Sequence, residues 1–187
     1  MGFCVWGVCK SAALLASHYP QYTVSQRIFS LLIPSQTSVA SAASIRITSI
    51  FVLGTALSLF ACYIRRACHQ ALGRLFTFEL AIRPNHMLIT TGPYAYVRHP
   101  GYTGVFLGTG GACMALLGPG SWLRECQWLD TRAGKLGLGL AVMNAVYVAA
   151  ALGARTVAED KTLRAEFGEE WDRWAAQVPY RIIPYIF

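Results

Sequence analysis

The sequence predicts an all-α, polytopic integral membrane protein with about three to five transmembrane helices. Apolar residues make up 55% of the 187 residues and charged residues only 13%, whereas soluble domains carry about 25% charged residues. The mean hydropathy is correspondingly high, at +0.41. The charges are concentrated between long uncharged stretches, which is typical of a chain whose solvent is partly lipid. This composition argues against a disordered chain and against an ordinary soluble enzyme domain.

Three uncharged stretches are long enough to cross a bilayer, and each predicts a transmembrane helix. They are residues 47–64, 101–123 and 136–154. Each is bracketed by Arg or Lys and has no polar stripe, as expected where a charge at mid-bilayer costs roughly 2.5–3.5 kcal/mol. These flanks disfavour the alternative, which is buried core helices of a soluble protein. A fourth apolar segment, residues 3–17, is short and interrupted by Lys10, so the sequence leaves its topology open.

The spans divide the chain into two regions. Residues 1–45 form an N-terminal apolar segment and loop of uncertain topology, and residues 46–187 form the predicted membrane domain. After the last span, the tail over residues 155–187 mixes apolar and charged side chains. Its first part, 156–177, predicts an amphipathic helix that lies against the cytosolic membrane interface, and a break near Gly168 is left open.

The distribution of basic residues predicts the orientation in the membrane. The stretch between the first two spans, residues 65–98, is rich in arginine and should be cytosolic. The next two spans then form a hairpin, so the tail returns to the same side. Two polar segments therefore face the cytosol together, where a soluble cofactor could meet a substrate that enters from the bilayer.

Net charge and cysteine content exclude several other classes. Sixteen Lys and Arg against nine Asp and Glu give a net charge of +7, but no zinc-finger spacing or basic module predicts nucleic-acid binding. The six cysteines form no CxxC pair and do not cluster with histidine, so we expect no metal site. Gly104 and Gly108 form a GxxxG step that indicates close helix packing, and a homodimer through this face is left open.

The first candidate for chemistry is the turn that leads into the second span, TTGPYAYVRHPGY at residues 90–102. Pro100 suits the first position of a helix, which leaves the amides of Gly101 and Tyr102 free to point at an anion. A plain helix cap with a snorkelling Arg98 explains the same pattern equally well.

Two further pairs carry ionisable groups near the spans. Arg155 and Glu159 are four residues apart at the exit of the last span, so they share one helical face. An ordinary intrahelical ion pair is the alternative explanation for them. Glu79 and His86 lie in the cytosolic stretch, where a lone histidine is more often only solvated.

These motifs together resemble one family. The segment HMLITTGPYAYVRHPGYTG, a hydrophobic hairpin, and then RTVAEDKTLRAEFGEEWDRWAAQVPYRIIP are similar to the isoprenylcysteine carboxyl methyltransferases. The resemblance covers roughly residue 72 to the C-terminus. Its RHPxY element alone is shared with phospholipid methyltransferases and, more distantly, with sterol reductases.

The resemblance implies an integral membrane enzyme of the endoplasmic reticulum whose active site faces the cytosol. Such enzymes use S-adenosylmethionine to methylate the carboxylate of a C-terminal prenylcysteine in CaaX proteins, such as small GTPases. The cofactor site carried over by position comprises Glu79, His86, Met87, Leu88, Ile89, Tyr94, His99, Pro100, Gly101, Tyr102 and Glu159.

Roles for these residues follow from the same resemblance, and Arg155 and Glu159 are the catalytic candidates. Arg155 would hold the substrate carboxylate. His99 and the neighbouring amides would bind the carboxylate of the cofactor, and Glu159 would attract its ammonium. The apolar residues 87–89 would pack near the adenosine.

Two other functions remain open at this point. In a phospholipid N-methyltransferase acting on phosphatidylethanolamine, the nucleophile is an amine, which Arg155 would disfavour. A catalytically silent membrane scaffold would retain the turn only for packing and would not bind the cofactor. The sequence does not indicate which prenyl length is accepted.

Overall fold

The computed structural model describes residues 11–12, 15–16, 19, 21–32, 44–73 and 87–186. Within these ranges the chain is helical and contains no strand, which confirms the predicted all-α class for this part of the molecule. The helices are α1 (Thr23–Leu32), α2 (Ser49–Leu72), α3 (Pro100–Leu117), α4 (Trp122–Glu125), α5 (Arg132–Phe167) and α6 (Glu169–Gln177), with short 3-10 helices at Gly92–Ala95 and Trp128–Asp130. The predicted site residues Glu79 and His86, and most of the apolar segment 3–17, lie outside the described residues.

Two of the described helices are long and apolar enough to cross a membrane. They are α2, with 24 residues, and α5, with 36 residues. They contain most of the predicted span 47–64 and all of the span 136–154. Their large apolar side chains, including Leu59 and Val146, are exposed, as expected for helices that face lipid.

The third predicted span, residues 101–123, differs from the prediction. Helix α3 begins at Pro100, ends at Leu117 and has 18 residues, and it is not one of the two candidate membrane spans. Gly120 has a φ of +73°, and Ser121 then caps the short helix α4 by accepting a hydrogen bond from the Arg124 amide. The apolar run therefore contains a helix end that composition alone concealed.

The first of two compact units comprises residues 1–58 and 109–144. Here the backbones of α2 and α3 touch, because a Cβ atom at Gly54 would lie 2.5 Å from the Gly111 carbonyl oxygen. Beyond the end of α3, the hydroxyl of Thr48 donates to the carbonyl oxygen of Pro119 at 3.1 Å. Glycine at both contact positions is what permits the close approach.

The second unit comprises residues 59–108 and 145–187. Its part of α2 packs on the start of α3, where a Cβ atom at Gly104 would lie 2.7 Å from Cγ of Arg65 and one at Gly108 would lie 3.4 Å from Cβ of Ala61. The GxxxG step thus faces a helix of the same chain. Nothing in this packing supports the homodimer that the sequence left open.

The tail over 156–177 is helical and is broken at Gly168, where the sequence leaves a break open. Helix α5 continues to Phe167, and Gly168, with a φ of +53°, separates it from α6. The positive φ is one that glycine adopts without strain. Residues 155–167 therefore continue the same helix as the apolar part of α5. The helix sets the positions of the polar side chains that follow the apolar part.

Candidate active site

The candidate site is built in the second unit from the turn before α3, the polar part of α5 and the C-terminal segment. Pro100 begins α3 and has no amide hydrogen, so the two residues before it are outside the helix and free to pair elsewhere. They pair with the C-terminal segment through two hydrogen bonds, from Arg98 N to Tyr180 O at 2.9 Å and from His99 N to Arg181 O at 2.7 Å. Thr103, in the first turn of α3, adds a third from its Oγ1 to Ile182 O at 2.6 Å. The segment 180–182 therefore lies along the turn.

His99 is the centre of the polar cluster. Its Nδ1 lies 3.2 Å from Oε2 of Glu159, and its Nε2 lies 3.0 Å from Oδ1 of Asp160. The residue is only 7% exposed. Two carboxylates that face the two ring nitrogens favour the doubly protonated ring, since only the imidazolium offers two donors. Burial opposes this charge, but the hydrogen bonds to Asp160 and Glu159 outweigh it and raise the pKa of His99 above its ordinary value.

Glu159 is held by three side chains. The hydroxyl of Tyr102 donates to its Oε1 at 2.6 Å, and Nε of Arg155 donates to the same oxygen at 2.8 Å. His99 occupies the other oxygen. The predicted pairing of Arg155 and Glu159 along one helix face is thus present, but it belongs to a larger buried network.

Asp160 was missed by the sequence analysis, although it is as deeply buried as His99. Its Oδ2 lies 3.3 Å from Nη2 of Arg98 and 3.0 Å from Nε of Arg181. The one available signal was its position directly after Glu159, at the polar end of an apolar helix. Arg181 carried no signal, because its contact with Asp160 spans 21 residues and depends on the path of the tail.

The two tryptophans of α6 pack beside the turn. The indole Nε1 of Trp174 donates to the carbonyl oxygen of Tyr94 at 3.3 Å. The guanidinium of Arg98 lies 5.5 Å from the ring centroid of Trp171, within cation–π range. These contacts fix α6 against the segment 94–98 and exclude water from that side of Arg98.

The other predicted cofactor residues occupy varied positions. Tyr94 is half-buried, its hydroxyl bonds to the buried Cys68 thiol, and burial is the main cause of its raised pKa. Met87 is exposed, whereas Leu88 and Ile89 are half-buried. The amide of Tyr102, expected to point at an anion, instead donates to the carbonyl oxygen of His99 at 3.0 Å.

The prediction is therefore only partly matched by position. Five of the predicted residues lie together in or directly beside the cluster: His99, Pro100, Tyr102, Arg155 and Glu159. Gly101 shows no steric need for glycine, because a Cβ atom there would meet nothing within 4 Å. Among the described residues, no group of three His, Cys, Asp or Glu side chains could hold a metal ion.

Comparison with known proteins identifies the segment that contains the turn. Residues 52–121 match the model of the isoprenylcysteine carboxyl methyltransferase family. The resemblance to this family is confirmed. The match includes Tyr94, His99 and Tyr102, but it ends before α5 and its polar residues.

Two curated proteins are similar over short segments. The chain is 41% identical over 56 residues to a protein-S-isoprenylcysteine O-methyltransferase of Schizosaccharomyces pombe, covering 29% of this chain and 24% of that protein. It is 32% identical over 68 residues to a Delta(14)-sterol reductase of Candida albicans, covering 36% of this chain and 15% of that protein. The matched segments thus span a quarter or less of these relatives, and no solved structure matches the chain.

Proposed function

We propose that this protein uses S-adenosylmethionine to esterify the C-terminal carboxylate of prenylated cysteine in CaaX-processed proteins. The buried cluster carries this proposal, because its two carboxylates are surrounded by more positive groups than they neutralise. Glu159 and Asp160 face four cations, namely Arg98, His99, Arg155 and Arg181. An excess of positive charge beside a membrane span favours an anionic acceptor over a cationic amine.

The residues present fit a cofactor that carries a carboxylate. Two buried N–H groups next to the cluster, Nε of Arg98 and Nε1 of Trp171, have no hydrogen-bond partner among the residues that the structure describes. Unpaired buried donors are costly and suit an acceptor such as the methionyl carboxylate. Tyr94, Tyr102 and Glu159 remain the candidates for its other polar groups. Because both ring nitrogens of His99 are already engaged, we assign this residue to positioning rather than to cofactor contact.

S-adenosylmethionine, when bound, supplies an activated methyl group. Esterification of a carboxylate consumes no proton, so the chain needs no general base. The task of its residues is to orient the acceptor and to keep water away. Arg155 suits the acceptor because its planar fork matches a carboxylate and because its side chain is 35% exposed, which leaves it reachable.

The membrane setting suits the same substrate. Helices α2 and α5 expose large apolar side chains along their lengths, and a prenyl group is most stable in the hydrocarbon phase. By the family resemblance we place the enzyme in the endoplasmic reticulum membrane with its polar cluster on the cytosolic side. The lipid chain would then remain in the bilayer while the carboxylate reaches Arg155.

A labelling experiment tests the proposal. Detergent-purified protein is incubated with methyl-labelled S-adenosylmethionine and, in separate reactions, with an S-farnesylcysteine or with phosphatidylethanolamine. Base-labile label on the prenylcysteine is the expected result, since a carboxyl methyl ester hydrolyses in base. Base-stable label in phosphatidylethanolamine would make the protein an N-methyltransferase. No transfer to either acceptor by folded protein would indicate a silent scaffold.

A further inference from the structure

Asp160 is the only acidic residue that is buried in the described part of the chain, and the proposed methyl transfer gives it no direct part. The residue is 5% exposed. One carboxylate oxygen pairs with His99, and the other is shared by Arg98 and Arg181. A buried charge is tolerated only where it is well paired, and removing one partner of such a group is strongly destabilising. This arrangement needs an explanation beyond local packing.

We propose that Asp160 is a positioning residue that holds His99 as an imidazolium and binds the C-terminal segment to the turn before α3. This inference rests on the proposed function, because it explains how the acceptor site keeps its geometry. We call Asp160 and its three partners, Arg98, His99 and Arg181, the Asp160 clamp.

Backbone pairing gives the first support for the clamp. The amides of Arg98 and His99 donate to the carbonyl oxygens of Tyr180 and Arg181. The side chains of three of these residues also converge on Asp160. One carboxylate therefore pairs with Arg98 and His99 of the turn and with Arg181 of the segment that lies along it.

A chain of hydrogen bonds from the clamp to Arg155 gives the second support for the proposal. The ring of His99 connects Asp160 on Nε2 with Glu159 on Nδ1. Glu159 in turn accepts from Tyr102 and Arg155. An imidazolium donates to both carboxylates, whereas a neutral ring donates to only one. If His99 loses its charge, it keeps one donor for two carboxylates, so Glu159, and with it Arg155, is held less firmly.

The charged and titratable groups around His99 come from four elements. The turn contributes Arg98, and α3 contributes Tyr102. Helix α5 contributes Arg155, Glu159 and Asp160, and the C-terminal segment contributes Arg181. Among these groups, Asp160 is the carboxylate that contacts the ring, the turn and the segment together. Its charge is therefore the one whose removal should affect all three.

Asp160→Asn tests the proposal with a spectroscopic readout. Full-length protein labelled with ¹⁵N-histidine is studied by NMR in detergent at pH 7, and the His99 signals are assigned by their loss in His99→Gln. We expect both ring nitrogens to be protonated in the wild type and one to be unprotonated in Asp160→Asn. Asp172→Asn is the matched control, because Asp172 pairs with Arg164 on the surface, is 47% exposed and lies outside the clamp.

Kinetics provide the second readout. Misplacement of a substrate-positioning group by about 1 Å can cost roughly 100-fold in rate, so we expect kcat of Asp160→Asn to fall by about 10- to 100-fold. Asp160→Glu should recover part of that loss, and Asp172→Asn should behave as the wild type. A neutral His99 ring in the wild type would overturn the proposal. So would an Asp160→Asn protein that keeps the imidazolium and full turnover.

A second variant covers the case in which Asp160→Asn does not fold. Arg181→Gln leaves His99 paired with Asp160 but loosens the C-terminal segment, so we expect a lower kcat with both ring nitrogens still protonated. Unchanged kcat in Arg181→Gln would refute the clamp. The NMR result does not depend on methyl transfer. An imidazolium that is lost in Asp160→Asn, in a protein that methylates no acceptor, would therefore retain the clamp and reject the proposed function.

Discussion

Glu159 accepts two hydrogen bonds on a single carboxylate oxygen, one from Tyr102 and one from Arg155. An exposed ion pair four residues apart in a helix contributes only a few tenths of a kcal/mol. Here the carboxylate is mostly buried and also faces His99, so the pair is held more firmly than its spacing suggests. Arg155 remains the more exposed partner and can turn toward an arriving carboxylate while Glu159 stays fixed by its other contacts.

Arg155→Ala should lower kcat/KM for a prenylcysteine acceptor by roughly 10- to 100-fold, because a hydrogen bond to a charged group contributes about 1.5–3 kcal/mol. Arg155→Lys should be intermediate, since lysine keeps the charge but not the planar fork. Initial rates at varied acceptor concentration measure the effect. Arg173→Ala, which removes an exposed arginine of α6, should leave the rate unchanged. Full turnover by Arg155→Ala would remove this residue from the acceptor site.

The charge of His99 predicts how stability changes with pH. Its pKa is raised in the folded protein by Asp160 and Glu159. The stabilisation is therefore complete below the unfolded value, about 6.5, and is lost as the pH rises through the higher folded value. We expect the Tm in detergent to decrease over that window and His99→Gln to flatten the decrease. A profile unaffected by His99→Gln would contradict the assignment.

At the scale of elements, composition and spacing predicted the long helices better than their ends. Helices α2 and α5 follow from uncharged length, because lipid requires a continuous helix there. Composition did not predict the end of α3, because the glycine and proline residues at positions 118–120 lie within an uncharged run. The spacing of Arg155 and Glu159 predicted their contact correctly, because both residues lie in one helix. The contacts of Asp160 with His99 and Arg181 could not be predicted in this way, because they join distant parts of the chain.

The contact between α2 and α3 predicts a steep dependence on side-chain size. A Cβ atom at Gly111 would lie 2.5 Å from the Gly54 carbonyl oxygen and 2.9 Å from the Ser58 amide nitrogen. Backbone atoms cannot rotate away, so Gly111→Ala should destabilise the protein by about 1–3 kcal/mol, the usual cost of overpacking. Thermal unfolding in detergent measures this loss.

The neighbouring glycine provides the control for that measurement. A Cβ atom at Gly110 would meet nothing within 4 Å. Gly110→Ala should therefore be neutral or slightly stabilising, since alanine favours a helix over glycine by about 1 kcal/mol. Equal Tm values for the two alanine variants would show that the helices do not approach as closely as described.

At the scale of the whole molecule, the proposed function depends on orientation in the membrane. The cofactor is soluble and the acceptor is anchored by a lipid chain, so the stretch 65–98 and the tail 155–187 must both be on the cytosolic side. This requires α3 to cross the bilayer. With 18 residues it is about 27 Å long at 1.5 Å per residue, slightly less than the hydrocarbon thickness of about 30 Å. The residues after Leu117 would complete the crossing, or the bilayer would thin around them.

Glycosylation mapping in endoplasmic reticulum microsomes distinguishes a crossing from a re-entrant α3. The chain contains no Asn-X-Ser/Thr acceptor, so any glycan reports an engineered site. An acceptor in a flexible insert between Gln127 and Trp128 should be glycosylated, because the proposed orientation puts that loop on the lumenal side. An acceptor appended after Phe187 should not be glycosylated, because α5 returns the chain to the cytosol. If neither acceptor site is glycosylated, α3 does not cross the bilayer. Helix α5 then begins and ends on the cytosolic side. The acceptor site would in that case lose its route from the bilayer, which would contradict the proposed function.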